Sequence, residues 1–192
     1  MEIAQMIEEL QKSLKPKRFL HTMGVADCAR EMAHQRGLDA DRAYLAGLLH
    51  DCAKDYDRET VVEYCASIGV ELDEITKKET ALVHAVLGVR IAKEKYGVED
   101  EEILSSILWH TVAKANMTPF EEIVYLADTC EPNRTFPAAE EVRELVREEK
   151  WEEAMIRALD SSITHVLGKG TRLHPKTVEA RNYYLDRLGK RA

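Results

Sequence analysis

Apolar residues recur three and four positions apart along almost the whole chain, and no alternating run of five or more residues stands between turn signals. The pattern predicts an all-α fold. Ile3, Met6, Ile7, Leu10 and Leu14 form the apolar stripe of a first helix over about 2–15. Pro16 closes it, because proline keeps the preceding residue out of the helical region. A second helix over about 17–35 stops at Gly37. Asp39 then caps a third that runs through Ala43, Leu45, Ala46, Leu48 and Leu49 to about Asp51. Asp57 is the expected cap of a fourth helix, which carries Val61, Val62, Cys65 and Ile68 before Gly69. One long helix is expected over about 78–96, ahead of Gly97.

Glu99, Asp100, Glu101 and Glu102 place negative charge at the positive end of the next helix, which continues through Ile103, Ile107 and Leu108 to His110. Thr118-Pro119-Phe120-Glu121 is a capping box with proline at the first helical position. Its helix holds Ile123, Val124, Leu126, Ala127 and Asp128 and ends before Pro132. Helices over about 137–149, 151–167 and 175–188 follow, the last two separated by a loop with Gly168, Gly170 and His174. No repeat, low-complexity segment or long linker divides the chain, so residues 1–192 read as one domain.

Composition narrows the function classes. Charged residues at 32% against 45% hydrophobic suit long helices with solvated outer faces. The net charge of −8 argues against a nucleic-acid partner, but bound metal ions can outweigh it locally and admit an anionic small substrate. Neither a basic-then-apolar leader nor a run of about 18 apolar residues occurs, so no membrane association and a cytoplasmic location are expected. The four cysteines, Cys28, Cys52, Cys65 and Cys130, form no C-x-x-C pair, and no disulfide is expected.

Histidine placement is the sharpest chemical signal. His21 shares a helical face with Val25, Cys28 and Met32; His50 with Ala43, Ala46 and Gly47; His84 with Leu87, Gly88 and Ile91; His110 with Ile103 and Ile107. Asp128 lies four residues after Val124 and eight after Phe120, and a buried carboxylate is costly unless paired or bound to metal. Any one of these histidines alone reads as a hydrogen-bonded core residue. The set instead resembles the inward imidazoles and carboxylates with which helical bundles build metal sites. Asp51, directly after His50, has two oxygens and can bridge two ions. His34 reads as solvated and His165 as packed near the elements around Trp151. Trp109 and Tyr125 read as core residues, with a base pocket as the alternative.

In register, His21, His50-Asp51, His84, His110 and Asp128 resemble the H…HD…H…H…D signature of the HD-domain phosphohydrolases. Leu45-Ala46-Gly47-Leu48-Leu49-His50-Asp51-Cys52-Ala53-Lys54, Trp109-His110-Thr111, Ala115-Asn116-Met117 and Ile123 to Asp128 resemble the bacterial YqeK branch, symmetrical diadenosine-tetraphosphate hydrolases. So do Glu131-Pro132-Asn133-Arg134 and His174-Pro175-Lys176-Thr177 with Glu179-Ala180-Arg181-Asn182. The chain departs from many relatives at Thr111-Val112-Ala113-Lys114 and Thr129-Cys130, neither of which removes a candidate ligand.

The resemblance implies a single HD-domain bundle with a metal-binding core over about 17–131 and a buried dinuclear site. It places a first metal on His21, His50, Asp51 and Asp128, and a second on His84 and His110 with Asp51 bridging. Iron, divalent or of mixed valence, is the implied metal, with manganese, cobalt and zinc as alternatives that suit the same ligand chemistry. Two adjacent ions can lower the pKa of a shared water and stabilise in-line displacement at phosphorus. Asp51, Lys54 and Arg134 are the candidate catalytic residues, and Arg18, Lys54, Arg134 and His174 the candidate substrate contacts. Lys114, Lys176 and Arg181 are weaker candidates, and capping the helix that starts at Pro175 is the alternative role for His174. The expected substrate is diadenosine tetraphosphate, cut to two ADP, with ADP or GDP as product analogues and a homodimer compatible with the resemblance. The rivals are hydrolysis of another nucleoside phosphate or a guanosine alarmone, and nucleotide binding without turnover.

Overall fold

A computed structural model describes residues 1–189, and among them every regular element is helical. The elements are α1 (Ile3–Ser13), α2 (Pro16–Gln35), α3 (Ala40–Leu49), α4 (Val61–Ser67), α5 (Glu74–Lys78), a 3₁₀ turn (Thr80–Leu82), α6 (Val83–Glu94), α7 (Glu101–Trp109), α8 (Pro119–Cys130), α9 (Pro137–Arg147), α10 (Trp151–Gly168) and α11 (Pro175–Gly189). Local sequence sets most boundaries. The side chains of Asp39 and Asp100 each accept two backbone N–H bonds at the starts of α3 and α7. At α8 the capping box is complete, with the Thr118 N–H donating to Glu121 Oε2 at 2.8 Å and the Glu121 N–H to Thr118 Oγ1 at 3.2 Å.

Four expectations need correction. The long helix over 78–96 is broken into α5, the 3₁₀ turn and α6. Asp73 draws a helix start upstream by accepting from the Ile75 and Thr76 amides, and Glu79, at φ −107° and ψ 72°, interrupts the helical line. Asp57 does not cap α4; its carboxylate accepts from the Glu59 N–H and the Thr60 hydroxyl, one turn early, and α4 begins after Thr60. Helix α3 ends at Leu49, and the chain turns through 50–55, so His50 and Asp51 stand just past a helix end rather than within it. His165 is exposed on α10 instead of packed.

α2 crosses α3 closely enough that an ideal Cβ on Gly47 would lie 2.9 Å from Ala26 Cα. α7 and α8 close the other side of this pair, α6 lies along α7, α9 and α11 each pack on α10, and α9 and α10 pack against α8. The main core collects Leu10, Val25, Leu48, Leu49, Ile107, Ile123, Leu126, Met155, Leu159 and Tyr184, all fully enclosed. Burying each such leucine or isoleucine contributes about 1.5–3 kcal/mol. A smaller cluster of Ala53, Val61, Cys65, Leu72, Val83 and Leu87 seats α4 against α6. The cysteines are free thiols. No helix among the described residues is long and apolar enough to cross a membrane.

Candidate metal centre

Three of the inward histidines sit beside a backbone carbonyl of their own turn. His50 Nδ1 donates to Gly47 O at 2.6 Å, His84 Nδ1 to Ala81 O at 2.8 Å and His110 Nδ1 to Ile107 O at 2.7 Å. Carbonyls only accept, so each Nδ1 carries the proton and each Nε2 presents a lone pair. His50 and His110 are C-cap residues of α3 and α7, where the last-turn carbonyls lack helical partners and are free to receive these bonds. His21, in α2, instead has Nδ1 3.0 Å from Glu131 Oε1.

The four Nε2 atoms converge on two carboxylates. Asp51 turns one oxygen to each pair of imidazoles: Oδ2 lies 3.5 Å from His50 Nε2 and 4.0 Å from His21 Nε2, and Oδ1 lies 3.1 Å from His84 Nε2 and 3.6 Å from His110 Nε2. Asp128 Oδ1 is 2.9 Å from His21 Nε2 and 3.9 Å from His50 Nε2. Atoms that share one ion at about 2.1 Å each fall roughly 3–3.5 Å apart, and the shorter of these contacts, from 2.9 to 3.6 Å, approach that spacing. His50 Nε2 and Asp51 Oδ1 are fully buried without a hydrogen-bond partner, and His84 Nε2 and His110 Nε2 face each other at 3.0 Å. Unpaired lone pairs buried at this density fit a cation, and the donors form three overlapping groups that could hold one: His21 with His50 and Asp51, His50 with His110 and Asp128, and Asp51 with His84 and His110.

Electrostatics keep the donors in ligating form. Burial opposes ionisation of Asp51, but the imidazoles packed around it, His50 first and then His110 and His84, outweigh it and hold the carboxyl well below the usual range. Asp128 is held low in the same way, with burial overcome by the neighbouring His21, His50 and Arg134. Burial, then the Lys54 charge, pushes His84 down to about 4, which leaves it neutral near pH 7.

Three cations stand between these carboxylates and solvent. Arg18 Nη1 donates to Asp51 Oδ2 at 2.7 Å, Arg134 Nη2 to Asp128 Oδ1 at 2.7 Å, and Lys54 Nζ lies 3.0 Å from His84 Nε2 and 3.6 Å from Asp51 Oδ1. Their side chains are 22–33% exposed against 2% for Asp51. Burial lowers the Lys54 pKa, against the pull of Asp51.

The structure thus brings together His21, His50, Asp51, His84, His110 and Asp128 with Arg18, Lys54 and Arg134. Asp128 is only half-buried, with its side chain 24% exposed, because it forms part of the mouth beneath Arg134. His174 is elsewhere: its Nδ1 accepts the Lys176 N–H at 3.2 Å and its Nε2 faces Asp73, as a helix cap would. Lys114, Lys176 and Arg181 pair with Glu121, Glu179 and Asp160. Tyr125 is buried and Trp109 half-buried. Sequence reasoning missed Thr111, whose Oγ1 lies 3.3 Å from His110 Nε2, and gave no role to Glu131. A buried glutamate directly after a helix that carries an inward aspartate was the available signal for the latter.

Comparison with known proteins points to one family. A family model described as HD domain matches residues 18–133. A Bacillus subtilis protein named symmetrical bis(5'-nucleosyl)-tetraphosphatase is 32% identical over 177 residues, covering 92% of this chain and 94% of that protein. One of the same name from Halalkalibacterium halodurans is 32% identical over 96% of this chain and 98% of its own length. A crystal structure described as a predicted HD superfamily hydrolase involved in NAD metabolism, from Clostridium acetobutylicum, matches with a TM-score of 0.91 at 36% identity, covering 97% of this chain and 98% of that one.

Proposed function

This chain belongs to the HD domain family, and on that premise we propose that it is a metal-dependent phosphoanhydride hydrolase that cuts diadenosine tetraphosphate symmetrically into two ADP. The observation that carries the reading is Asp51, buried between two imidazole pairs with one oxygen toward each, under a ring of three cations. In this reading His21, His50, Asp51 and Asp128 would hold one ion, and Asp51, His84 and His110 would hold a second. Two ions bound there, divalent or of mixed valence and with iron the metal proposed, would supply Lewis acidity and a water of lowered pKa.

The chain's own cations do the rest. Arg18 and Arg134 each present a guanidinium fork to phosphate oxygens, and Lys54 adds a point charge. These groups stand at the mouth of the centre, where charge that develops on the departing phosphate would meet them. One ADP-like half with its two phosphates across the centre puts the attacked phosphorus second from the nucleoside. The oxygen of water enters that ADP, and the bridging oxygen leaves with the other. Four cysteines left as thiols suit a cytosolic place of action.

Product analysis tests the reading. Protein loaded with iron, manganese or zinc should convert diadenosine tetraphosphate to ADP alone and, if it cuts the triphosphate, yield AMP with ADP. Labelled water should leave one labelled oxygen in half of the ADP formed. Removal of metal with a chelator should abolish turnover. ATP with AMP from the tetraphosphate, or faster cleavage of NAD or a guanosine alarmone in the same panel, would overturn the assignment.

A further inference from the structure

We propose that Glu131 is a positioning residue that fixes the tautomer of His21, and that Asn133 fixes the orientation of Glu131 in turn. The inference rests on the reading of His21 Nε2 as a metal ligand. His50, His84 and His110 each have the carbonyl of residue i−3 to receive the Nδ1 proton. His21 lies inside the 20-residue α2, where carbonyls serve the helix itself, and its Nδ1 meets Glu131 Oε1 at 3.0 Å instead. The carboxylate is the substitute for a missing carbonyl.

Its placement is built from several directions. Glu131 follows the last residue of α8, is 1% exposed, and stands three residues after Asp128. Its other oxygen, Oε2, accepts from the Asn133 N–H at 2.7 Å and the Asn133 Nδ2 at 2.9 Å. Gly24, one turn after His21, admits it: a Cβ there would come within 2.5 Å of Oε2. Arg143 pins the segment from outside, its Nε donating to Cys130 O at 2.7 Å and its Nη2 to Glu131 O at 2.9 Å. Both oxygens of Glu131 therefore act only as acceptors, one for His21 and one for Asn133. That leaves the proton on His21 Nδ1 and the Nε2 lone pair directed at Asp51 and Asp128.

An amide in place of this carboxylate makes an unusual prediction. In Glu131→Gln the two Asn133 donors claim the amide oxygen, so the NH₂ group turns to His21 Nδ1, which must then accept. The ring proton moves to Nε2, and the nitrogen that faces the centre can no longer ligate. The isosteric variant should fold as the wild type does and yet bind zinc about 10–100-fold more weakly. Asn133→Asp alone sets two carboxylates against each other and should also weaken binding.

The experiment measures zinc affinity by competition with a chelator for the wild type and both variants, with ¹⁵N imidazole shifts of the zinc-loaded wild type as a second reading. Expected are weak binding in each variant and a His21 proton on Nδ1. Wild-type affinity in Glu131→Gln or in Asn133→Asp, or a His21 ring coordinated through Nδ1, would overturn the inference. Should Glu131→Gln fail to fold, Asn133→Asp and the wild-type shifts still decide. If the wild type itself binds no metal, the metal-centre reading fails, a result distinct from failure of Glu131.

Discussion

Two helical glycines offer a controlled test of how tightly α2 and α3 hold the centre together. At Gly47 an ideal Cβ would lie 2.9 Å from Ala26 Cα, 3.0 Å from Val25 O and 3.1 Å from Ala26 N, all backbone atoms of α2. Such atoms cannot yield singly in a close-packed interior, so Gly47→Ala must separate the helices by about half an ångström. Overpacking of this kind costs about 1–3 kcal/mol, against a gain of up to about 1 kcal/mol in helix propensity. The net expectation is a loss of about 1–2 kcal/mol. At Gly88 the same Cβ meets Ile107 Cγ2 at 3.2 Å and Cys52 Sγ at 3.7 Å, side-chain atoms that can shift, so Gly88→Ala should be near neutral. In urea unfolding the two midpoints should differ by roughly 0.5 M. Because Gly47 O also receives the His50 Nδ1 proton, Gly47→Ala should weaken metal binding while Gly88→Ala leaves it intact. Equal midpoints for the two variants, or Gly47→Ala at or above wild type, would refute the close-approach argument.

Asp51→Asn should lower metal content, by elemental analysis, and turnover more than substitution of any other proposed ligand, since only Asp51 turns an oxygen to both imidazole pairs; wild-type metal content would contradict a shared ligand. Arg18→Ala, Lys54→Ala and Arg134→Ala should each keep the metal and slow turnover by roughly 10²-fold, and unchanged kcat in all three would assign them to the solvated surface. Tyr184→Phe removes the hydroxyl that donates to buried Glu122 at 2.7 Å but leaves Arg36 on that carboxylate, so a loss of about 1–2 kcal/mol and a fall in Tm of roughly 3–6 °C are expected with activity preserved. An unchanged Tm would mean that water replaces the hydroxyl without cost.

What the sequence revealed and what it hid have separate physical causes. Helical spacing exposes which face of a helix is apolar, and His21, His84 and His110 were legible because each lies on such a face. Boundaries were legible where a short polar side chain satisfies its own helix, as at Asp39, Asp100 and Thr118. The break near Glu79 was not: apolar periodicity runs through it, although Asp73 opens α5 upstream and Glu79 leaves the helical line where its Oε1 accepts from the Arg172 N–H and Nη1, 93 residues away. The role of Glu131 was hidden because its contact with His21 spans 110 residues. Arg18 was underrated because periodicity places it one turn from His21 without showing that Asp51 stands within reach.

Charge at the centre explains how an acidic chain can take an anionic substrate. Asp51, Asp128 and Glu131 supply three negative charges, and Arg18, Lys54 and Arg134 three positive ones, arranged as contacts of Arg18 with Asp51 and Arg134 with Asp128. Each guanidinium fork thus rests on a carboxylate at the mouth of the centre. Cations held among the Nε2 atoms would compete for the same carboxylate oxygens, because Asp51 Oδ2 and Asp128 Oδ1 face both an arginine and an imidazole. Bound metal would in that way add positive charge to a neutral cluster and favour an anionic substrate there. The net charge of −8 is then spread over the solvated outer faces of the helices and has little influence within the site, where a few groups at 3–4 Å dominate a field that salt screens over about 8–10 Å.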